Sequence, residues 1–236
     1  MSDEGRVAVI ADGSHGLGFE TARRLAGRGV IVILASADGL VGKAAADKLQ
    51  SEGLNVRFHP LDMTRSDGIL KLRQWLAANL GRLDILIKYP DNQRAAAPDG
   101  ILNVALDTLR ERIEASAFGA LRLTQELLPL MESGGWGRIV HVGAGAGQLN
   151  RMAPDHAADR LDAAVLHALT AMIGAATAQR SVRVNAVDAD ISETPNERLI
   201  DRDAMAEASE SIVQAALMSD HGPNGCLLRA GEVVDW

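Results

Sequence analysis

Residues Arg6–Gly18 read RVAVIADGSHGLG, an apolar run that passes directly into a glycine-rich turn. The next ten residues carry apolar side chains at helical spacing. A strand, a glycine turn and a helix in this order predict the first unit of a nucleotide-binding α/β fold. In such a unit the start of the helix offers unpaired N–H groups and a partial positive charge to a phosphate. Asp12 stands within this turn, where an anion would oppose a phosphate.

Composition narrows the class of protein. The chain has 236 residues, of which 47% are hydrophobic and only 3% aromatic, so it can form one large domain with an aliphatic core. Its net charge of −7 argues against nucleic-acid and anionic-membrane partners, because both need a basic face. The single cysteine, Cys226, and the short acidic start favour a reducing, cytoplasmic location without a signal peptide. The longest apolar runs are too short to span a membrane.

The rest of the chain alternates between short apolar runs and segments of helical spacing. After the first strand, further strands are predicted at Val30–Ala35, Asn55–Phe58, Leu83–Ile87, Arg138–Val142, Val182–Val187 and, at the sheet edge, Cys226–Leu228. Helices are predicted at Lys43–Gln50, Ile69–Leu80, Leu106–Met131, Asp159–Gln179 and Met205–Met218. This alternation predicts an α/β fold with a doubly wound parallel sheet, formed as a single domain over residues 1–236.

Several segments together carry a family resemblance. Besides the glycine turn, they are Leu61–Met63, Leu83–Leu86, Phe118–Met131, Gly137–Val142, Val182–Asp188 and the tail Gly222–Trp236. On these segments the chain resembles the carbonyl-reductase-like branch of the short-chain dehydrogenase/reductase (SDR) family. The resemblance implies a seven-stranded Rossmann sheet of SDR type, with NAD(P)(H) at the carboxyl ends of its strands. It also implies a homodimer or homotetramer that pairs the two long helices, here Leu106–Met131 and Asp159–Gln179.

The cofactor motif departs from the family pattern. The family turn reads Thr-Gly-x-x-x-Gly-x-Gly, and Asp12 replaces its first glycine. A carboxylate about 4 Å from a phosphate charge would oppose binding by about 1 to 4 kcal/mol, depending on the effective dielectric. NAD or NADP is therefore expected only weakly, and Ala35–Asp38 carries no clear signal for one of them. If a nucleotide binds, the resemblance assigns its contacts to Gly13, Ser14, Gly16, Leu17, Gly18, Asp62 and Met63.

The catalytic set of the family is also altered. Its members use a tyrosine as the acid, a lysine four residues later, a serine and an asparagine. The asparagine position corresponds to Ser116 and the serine position to Ala144. The tyrosine and lysine positions correspond to Asp159 and Ala163, or in a shifted register to Ala158 and Asp162. The only tyrosine is Tyr89 and no lysine follows Lys88, so the sequence predicts that the usual hydride transfer lacks its acid.

Acidic residues are expected around the cleft in place of this set. Asp12, Asp159 and His156 are the candidate catalytic residues, with Asp91, Asp155 and Asp190 nearby. Crowded carboxylates raise one another's pKa, so one of them would be suited to donate a proton, while His156 would accept one. The alternative is that these are solvated loop residues without a catalytic role. No spacing of cysteine, histidine and carboxylate residues indicates a metal site.

Three functions remain open on the sequence alone. The favoured one is a non-redox enzyme, a cyclase, isomerase or dehydratase that acts on a small organic, polyketide-like ligand. The second is a catalytically silent homologue that serves as a binding or partner subunit. The third is an NAD(P)(H)-dependent reductase that uses non-standard residues.

Overall fold

One eight-stranded sheet forms the centre of the molecule. The computed structural model describes residues 3–90, 99–143, 145–189 and 202–236. Seven strands run parallel, and the eighth is antiparallel to the seventh, in the order β3-β2-β1-β4-β5-β6-β7-β8. The strands are β1 Val7–Ala11, β2 Ile31–Ser36, β3 Val56–Pro60, β4 Ile85–Lys88, β5 Gly137–Gly143, β6 Val182–Asp188, β7 Leu227–Arg229 and β8 Glu232–Val234.

Helices connect the parallel strands and cover both faces of the sheet. They are α1 Gly16–Gly27, α2 Gly39–Ser51, α3 Ser66–Asn79, α4 Leu106–Ile113, α5 Gly119–Ser133, α6 Ala157–Ala176 and α7 Arg202–Ala216. Single turns of 3-10 helix occur at Gly145–Gly147 and Leu149–Arg151. This arrangement confirms the predicted doubly wound α/β sheet of Rossmann type.

The alternation of side chains along each strand explains the two-sided core. In β1, Val7, Val9 and Ala11 pack on one face, whereas Ala8 and Ile10 pack on the other. Both sets are fully buried, because helices cover both faces. A strand buried on both faces has to be continuously apolar, which is why VAVIA shows no polar alternation.

The structure departs from the predicted long helix at Leu106–Met131. A π turn, Glu114–Phe118, separates α4 from α5. The Ala117 N–H donates to Asp162 Oδ1 of α6 at 3.1 Å, so a side chain inserts into the backbone ladder of the helix at this point. Helical spacing alone does not register such an insertion, because its cause lies 45 residues away in the sequence.

The sheet has one strand more than the seven that the resemblance implied. Strand β8 folds back on β7 through Ala230 and Gly231, whose φ angles are 48° and 82°. Two consecutive left-handed residues are typical of the tight turn that joins antiparallel strands. The chain end therefore forms a hairpin at the edge of the sheet.

Candidate functional site

The strand order reverses between β1 and β4, and this places a crevice at the carboxyl edge of the sheet. Strands β2 and β3 continue from β1 in one direction, and β5 to β7 continue from β4 in the other. Asp12 follows β1 at this point and Tyr89 follows β4. Open α/β sheets bind their ligands at this reversal point, because the loops on either side of it diverge. We therefore take this crevice as the candidate active site.

The glycine turn is packed too tightly for side chains at two positions. A Cβ atom on Gly18 would lie 2.3 Å from the Cα of Gly13, and one on Gly13 would lie 2.3 Å from Ile10 Cγ2. These contacts bring the start of α1 directly against the end of β1. The backbone of the turn consequently follows a path on which Gly13 and Gly18 leave no room for a side chain.

Helix α1 begins without a side-chain cap. Its N-cap residue is the exposed His15, in an extended conformation (φ −146°) with no capping hydrogen bond from its side chain, and its first turn contains no acidic residue. By contrast, Asp38 caps α2 by accepting from the N–H groups of Leu40 at 2.9 Å and Val41 at 3.0 Å. The start of α1 is thus suited to bind an anion, whereas the start of α2 is already occupied by the carboxylate of Asp38.

Asp12 adopts the conformation that the family's glycine would take. Its φ angle is 59°, in the left-handed region that aspartate tolerates better than most residues. Its N–H donates to the Ala35 carbonyl oxygen at 2.8 Å, and the residue is half-buried. The turn is therefore retained with a carboxylate beside it.

The other predicted cofactor contacts follow β1 and β3 at the same edge of the sheet. Ser14 is buried, with its hydroxyl 3.2 Å from that of Ser36. Asp62 is half-buried, and its Oδ1 accepts from the Thr64 N–H at 3.0 Å and the Thr64 hydroxyl at 2.6 Å. Met63 is buried against α5, so its side chain supports the core. These assignments remain predictions.

Lys88 and Tyr89 lie at the end of β4, and both are buried. The Tyr89 hydroxyl donates to Thr21 Oγ1 of α1 at 2.6 Å, and burial raises the pKa of the phenol. Its ring lies beneath Gly13, so the single tyrosine supports the glycine turn from below. Lys88 is 1% exposed, and its Nζ donates to Ser116 Oγ in the π turn at 2.5 Å.

A buried histidine stands beside Lys88 on the neighbouring strand. The register of β4 and β5 pairs Lys88 with His141, whose Nδ1 lies 2.8 Å from Thr170 Oγ1. Thr170 donates its own proton to the Leu166 carbonyl oxygen, so His141 must carry its proton on Nδ1. Burial lowers the pKa of His141 to about 3, with further contributions from the charge of Lys88 and from His167. His141 is therefore a neutral core histidine.

The start of α6 holds two of the predicted catalytic residues. His156 is the N-cap residue of α6, half-buried, with a left-handed φ of 50°. Asp159 is about one-third exposed and pairs with Arg112 of α4 at 3.0 Å. Arg112 also approaches Asp162 at 3.7 Å. The structure thus brings His156 and Asp159 together on α6, with Asp159 as an ion-paired carboxylate, while Asp12 follows β1 at the glycine turn.

In the shifted register, the family's tyrosine and lysine positions correspond to Ala158 and Asp162, and both lie on the buried face of α6. In the other register the tyrosine position is Asp159, which is about one-third exposed. Ala158 and Asp162 are almost fully buried, and Asp162 is anchored to the π turn through the Ala117 N–H. Ala163 packs against Gly147, since a Cβ on that glycine would lie 2.8 Å from the Cβ of Ala163. The remaining positions considered above, Asp91, Ala144 and Asp190, lie outside the described residues.

At the carboxyl end of β6, Asp188 organises a second polar network. Its carboxylate accepts from the Gly145 N–H at 3.0 Å and from two nitrogens of Arg229, at 2.9 and 2.7 Å. Arg229 also donates to the side-chain oxygen of Gln148 at 2.7 Å, and Gln148 donates to the backbone oxygen of Asp235. This network ties the 3-10 turn after β5 to the chain end.

The described residues show neither a membrane-spanning helix nor a cluster of metal-ligating side chains. In these residues no helix is both long and apolar enough to cross a lipid bilayer. They also contain no group of three or more histidine, cysteine, aspartate or glutamate side chains placed to hold a metal ion.

Comparison with known proteins establishes the family. Residues 6–204 match the family model described as short chain dehydrogenase. The chain belongs to the short-chain dehydrogenase/reductase family. It is 26% identical to (-)-isopiperitenone reductase from Mentha piperita, with 96% of each chain covered. It is 32% identical to carbonyl reductase [NADPH] 1 from Mus musculus, over 60% of this chain and 50% of that protein.

The fold of this chain is also similar to that of a solved structure. Menthone neomenthol reductase from Mentha piperita superposes with a TM-score of 0.80 at 23% identity, covering 96% of this chain and 99% of that one. At this identity the likeness shows the fold alone. The chain spans about half the length of the first curated relatives that it matches.

These relatives overturn the predicted function. The sequence favoured a non-redox cyclase, isomerase or dehydratase, with a silent partner subunit as its alternative. The relatives and structural neighbours are named reductases and dehydrogenases, among them a neomenthol dehydrogenase and a polyketide ketoreductase. The prediction of a non-redox enzyme is therefore wrong, and the findings point to redox chemistry of the SDR type.

Sequence reasoning missed two parts of the site. The pair of Lys88 and Ser116 was not recognised, although a lysine that closes the apolar strand ILIK is a signal for a buried charge. The role of Arg112 carried no signal in the sequence, because its two partners lie some 50 residues away on α6.

Proposed function

We propose that this protein is an NAD(P)(H)-dependent oxidoreductase that interconverts a small carbonyl compound and the corresponding alcohol. Its family membership and the names of its relatives favour this chemistry over the other classes. The proposal includes an atypical active site, in which the usual acid of the family is replaced by other groups. It extends to a cytoplasmic location, in keeping with the single cysteine, Cys226.

The observation that carries the proposal is the start of α1. The contact between Gly13 and Gly18 brings the backbone against the crevice, and the helix start has neither a side-chain cap nor an acidic first turn. A dinucleotide diphosphate fits such a cradle, because it accepts hydrogen bonds from N–H groups and is attracted by the helix dipole. Asp12 weakens the fit by its charge but leaves the path of the backbone unchanged.

The proposal assigns each part of the crevice a role in cofactor binding or in proton transfer. The glycine turn and His15 would hold the diphosphate, with Ser14 and Asp62 at its sides. The nicotinamide, when bound, supplies or accepts the hydride. Asp159, held by its ion pair with Arg112, is the first candidate for proton transfer to or from the substrate oxygen. His156, at the same helix start, is the second candidate for proton transfer.

An aspartate at position 15 tests the cradle directly. In His15→Asp the new carboxylate would cap α1 and satisfy the N–H groups that we assign to the phosphate. We expect the free energy of unfolding to rise by about 0.5–1 kcal/mol, as for other N-caps, while binding of NADPH and NADH weakens at least tenfold. Calorimetric titration with each nucleotide and urea unfolding measure the two effects.

Helix α4 offers a matched control. Its N-cap residue, the exposed Ala105, also lacks a capping side chain. Ala105→Asp adds the same charge and the same kind of cap on a different helix, so it should raise stability without weakening nucleotide binding. Failure of the wild-type protein to bind either nucleotide up to millimolar concentration would refute the proposed function.

We further propose that the protein is a homodimer or homotetramer joined through α4, α5 and α6. A groove of about 540 Å³ on this side is lined mainly by apolar residues, among them Leu106, Leu109, Ile113 and Phe118. Leu106 is 66% exposed and Met172 of α6 is 68% exposed, which is unusual for large apolar side chains. Light scattering of the wild-type protein and of Leu106→Asp tests the assembly, and a wild-type monomer would refute it.

A further inference from the structure

Tyr89 contacts three consecutive parts of the glycine-turn unit. Its N–H donates to the Ala11 carbonyl oxygen at the end of β1, at 3.0 Å. Its ring lies next to Gly13, since a Cβ on that glycine would be 3.4 Å from Tyr89 Cδ2. Its hydroxyl donates to Thr21 Oγ1 in the second turn of α1, at 2.6 Å. A single residue that follows β4 therefore touches the strand, the turn and the helix.

The hydrogen bond between the two hydroxyl groups is enclosed in the core. Tyr89 is 5% exposed and Thr21 is 0% exposed. Burial raises the pKa of the phenol, so this hydroxyl keeps its proton and remains a donor near neutral pH. Phenylalanine and valine at these two positions would fill the same space without burying any polar group. What the two hydroxyls add is direction, because a hydrogen bond has a preferred geometry and an apolar contact does not.

This direction matters for the connection between β1 and α1. Only residues 12–15 join the end of the strand to the start of the helix. A displacement of α1 toward β1 is blocked by the glycines, since a Cβ on Gly18 would already lie 2.3 Å from the Cα of Gly13. A displacement away from β1 stretches the hydrogen bond between Tyr89 and Thr21. The glycine contact and the hydroxyl pair together fix the position of the helix start relative to the turn.

We propose that Tyr89 is a positioning residue for the diphosphate site, where its hydroxyl holds α1 at the distance from the glycine turn that a bound diphosphate requires. The inference rests on the proposed binding of a nucleotide at the start of α1. Backbone N–H groups bond an oxygen well only at about 2.7–3.2 Å, and binding groups need to be held within about 0.5 Å of the productive geometry. A helix start that is already in place loses less freedom when the ligand binds.

The test separates nucleotide affinity from stability with Tyr89→Phe, Thr21→Val and the double variant. Each single variant leaves one hydroxyl buried without its partner, so its midpoint of urea unfolding should fall. The double variant should regain most of the midpoint, because neither polar atom remains. Affinity should not follow this recovery. The dissociation constants of NADPH, NADH and ADP-ribose should rise about threefold to tenfold in Tyr89→Phe and stay raised in the double variant, because both lack the hydrogen bond.

ADP-ribose places the effect within the ligand. It carries the diphosphate without the nicotinamide, so its affinity should fall by the same factor as that of NADH. If Tyr89→Phe does not fold, the double variant alone decides the outcome.

Trp136→Leu is the matched control for loss of stability. Trp136 immediately precedes β5, at the opposite edge of the sheet from the crevice, and two arginine guanidinium groups stack on its ring. This variant should lower the urea midpoint as Tyr89→Phe does and leave all three dissociation constants unchanged.

The outcomes distinguish this role from the proposed function. If wild-type protein binds a nucleotide and the double variant binds it within about twofold of wild type, the role of Tyr89 is refuted and the proposed function stands. The same conclusion follows if Trp136→Leu weakens binding as much as Tyr89→Phe does. If wild-type protein binds none of the three ligands up to millimolar concentration, the proposed function fails and the role of Tyr89 fails with it.

Discussion

The carboxylate of Asp12 is expected to limit nucleotide affinity, and removing its charge should strengthen binding. Asp12 is half-buried, follows β1 and precedes the uncapped start of α1. Asparagine has nearly the same shape and tolerates the left-handed φ of 59° equally well. Asp12→Asn therefore removes the charge and retains the turn.

The size of the effect follows from charge separation and exposure. Two unit charges about 4 Å apart repel by about 1 kcal/mol in water and by about 4 kcal/mol at an effective dielectric of 20. Because Asp12 is only half-buried, we expect the lower part of this range, about 1–2 kcal/mol, which corresponds to roughly 5- to 30-fold tighter binding. The gain should shrink as salt is raised from about 0.05 to 0.5 M, since salt screens charges near the surface.

Two further variants isolate the cause. Asp12→Gly removes the charge and also the steric cost of a left-handed side chain, so it should match Asp12→Asn in nucleotide affinity while differing in stability. Asp67→Asn on α3 changes the net charge equally at an exposed position. Calorimetric titration of all three with NADPH and NADH is the assay. The reasoning is refuted if Asp12→Asn binds more weakly than wild type, or if Asp67→Asn gives the same gain.

Three predictions concern the surroundings of the site. Tyr89→Phe should lower the free energy of unfolding by about 1–3 kcal/mol because it leaves the Thr21 hydroxyl buried without its donor, whereas the double variant with Thr21→Val should recover most of this loss in urea unfolding. Trp136→Leu should destabilise by about 1–2 kcal/mol, since two arginine guanidinium groups lie 3.6 and 4.1 Å from its ring, and a melting curve unchanged by this substitution would contradict the stacking. The pKa of His141 is depressed to about 3 in the folded protein, whereas the unfolded chain keeps the ordinary value of about 6.5. As the pH falls from about 6.5 toward 3, only the unfolded state binds the proton, so the free energy of unfolding decreases. Urea unfolding between pH 7 and 4.5 should therefore show a loss steeper in wild type than in His141→Gln, by up to about 1.4 kcal/mol per pH unit.

Much of the fold could be predicted because its signals are local. The run VAVIA is apolar at every position, which indicates a strand covered on both faces, and the glycines after it indicate a turn without side chains. Alternation of such runs with helical spacing leads to the doubly wound sheet without any knowledge of contacts. The hairpin at Ala230 and Gly231 was missed, because a left-handed alanine has no sequence signature.

The function was misjudged for a different reason. The sequence shows which family side chains are replaced, and from this we inferred that redox chemistry had been lost. It does not show what other groups the fold brings into the same space. Lys88 and Ser116 are 28 residues apart, and they meet only because the end of β4 and the π turn pack together beneath α6.

The sequence by itself determined the order of strands and helices, the position of the glycine turn and the absence of a tyrosine from α6, because each depends on residue types at fixed spacing. Tertiary structure alone decided which charges are buried and with which partners. It placed Tyr89 beneath the turn and against Thr21, paired Asp159 with Arg112, and enclosed Lys88 beside Ser116. These outcomes depend on residues distant in the chain, whose approach is set by packing across the sheet and not by any local pattern.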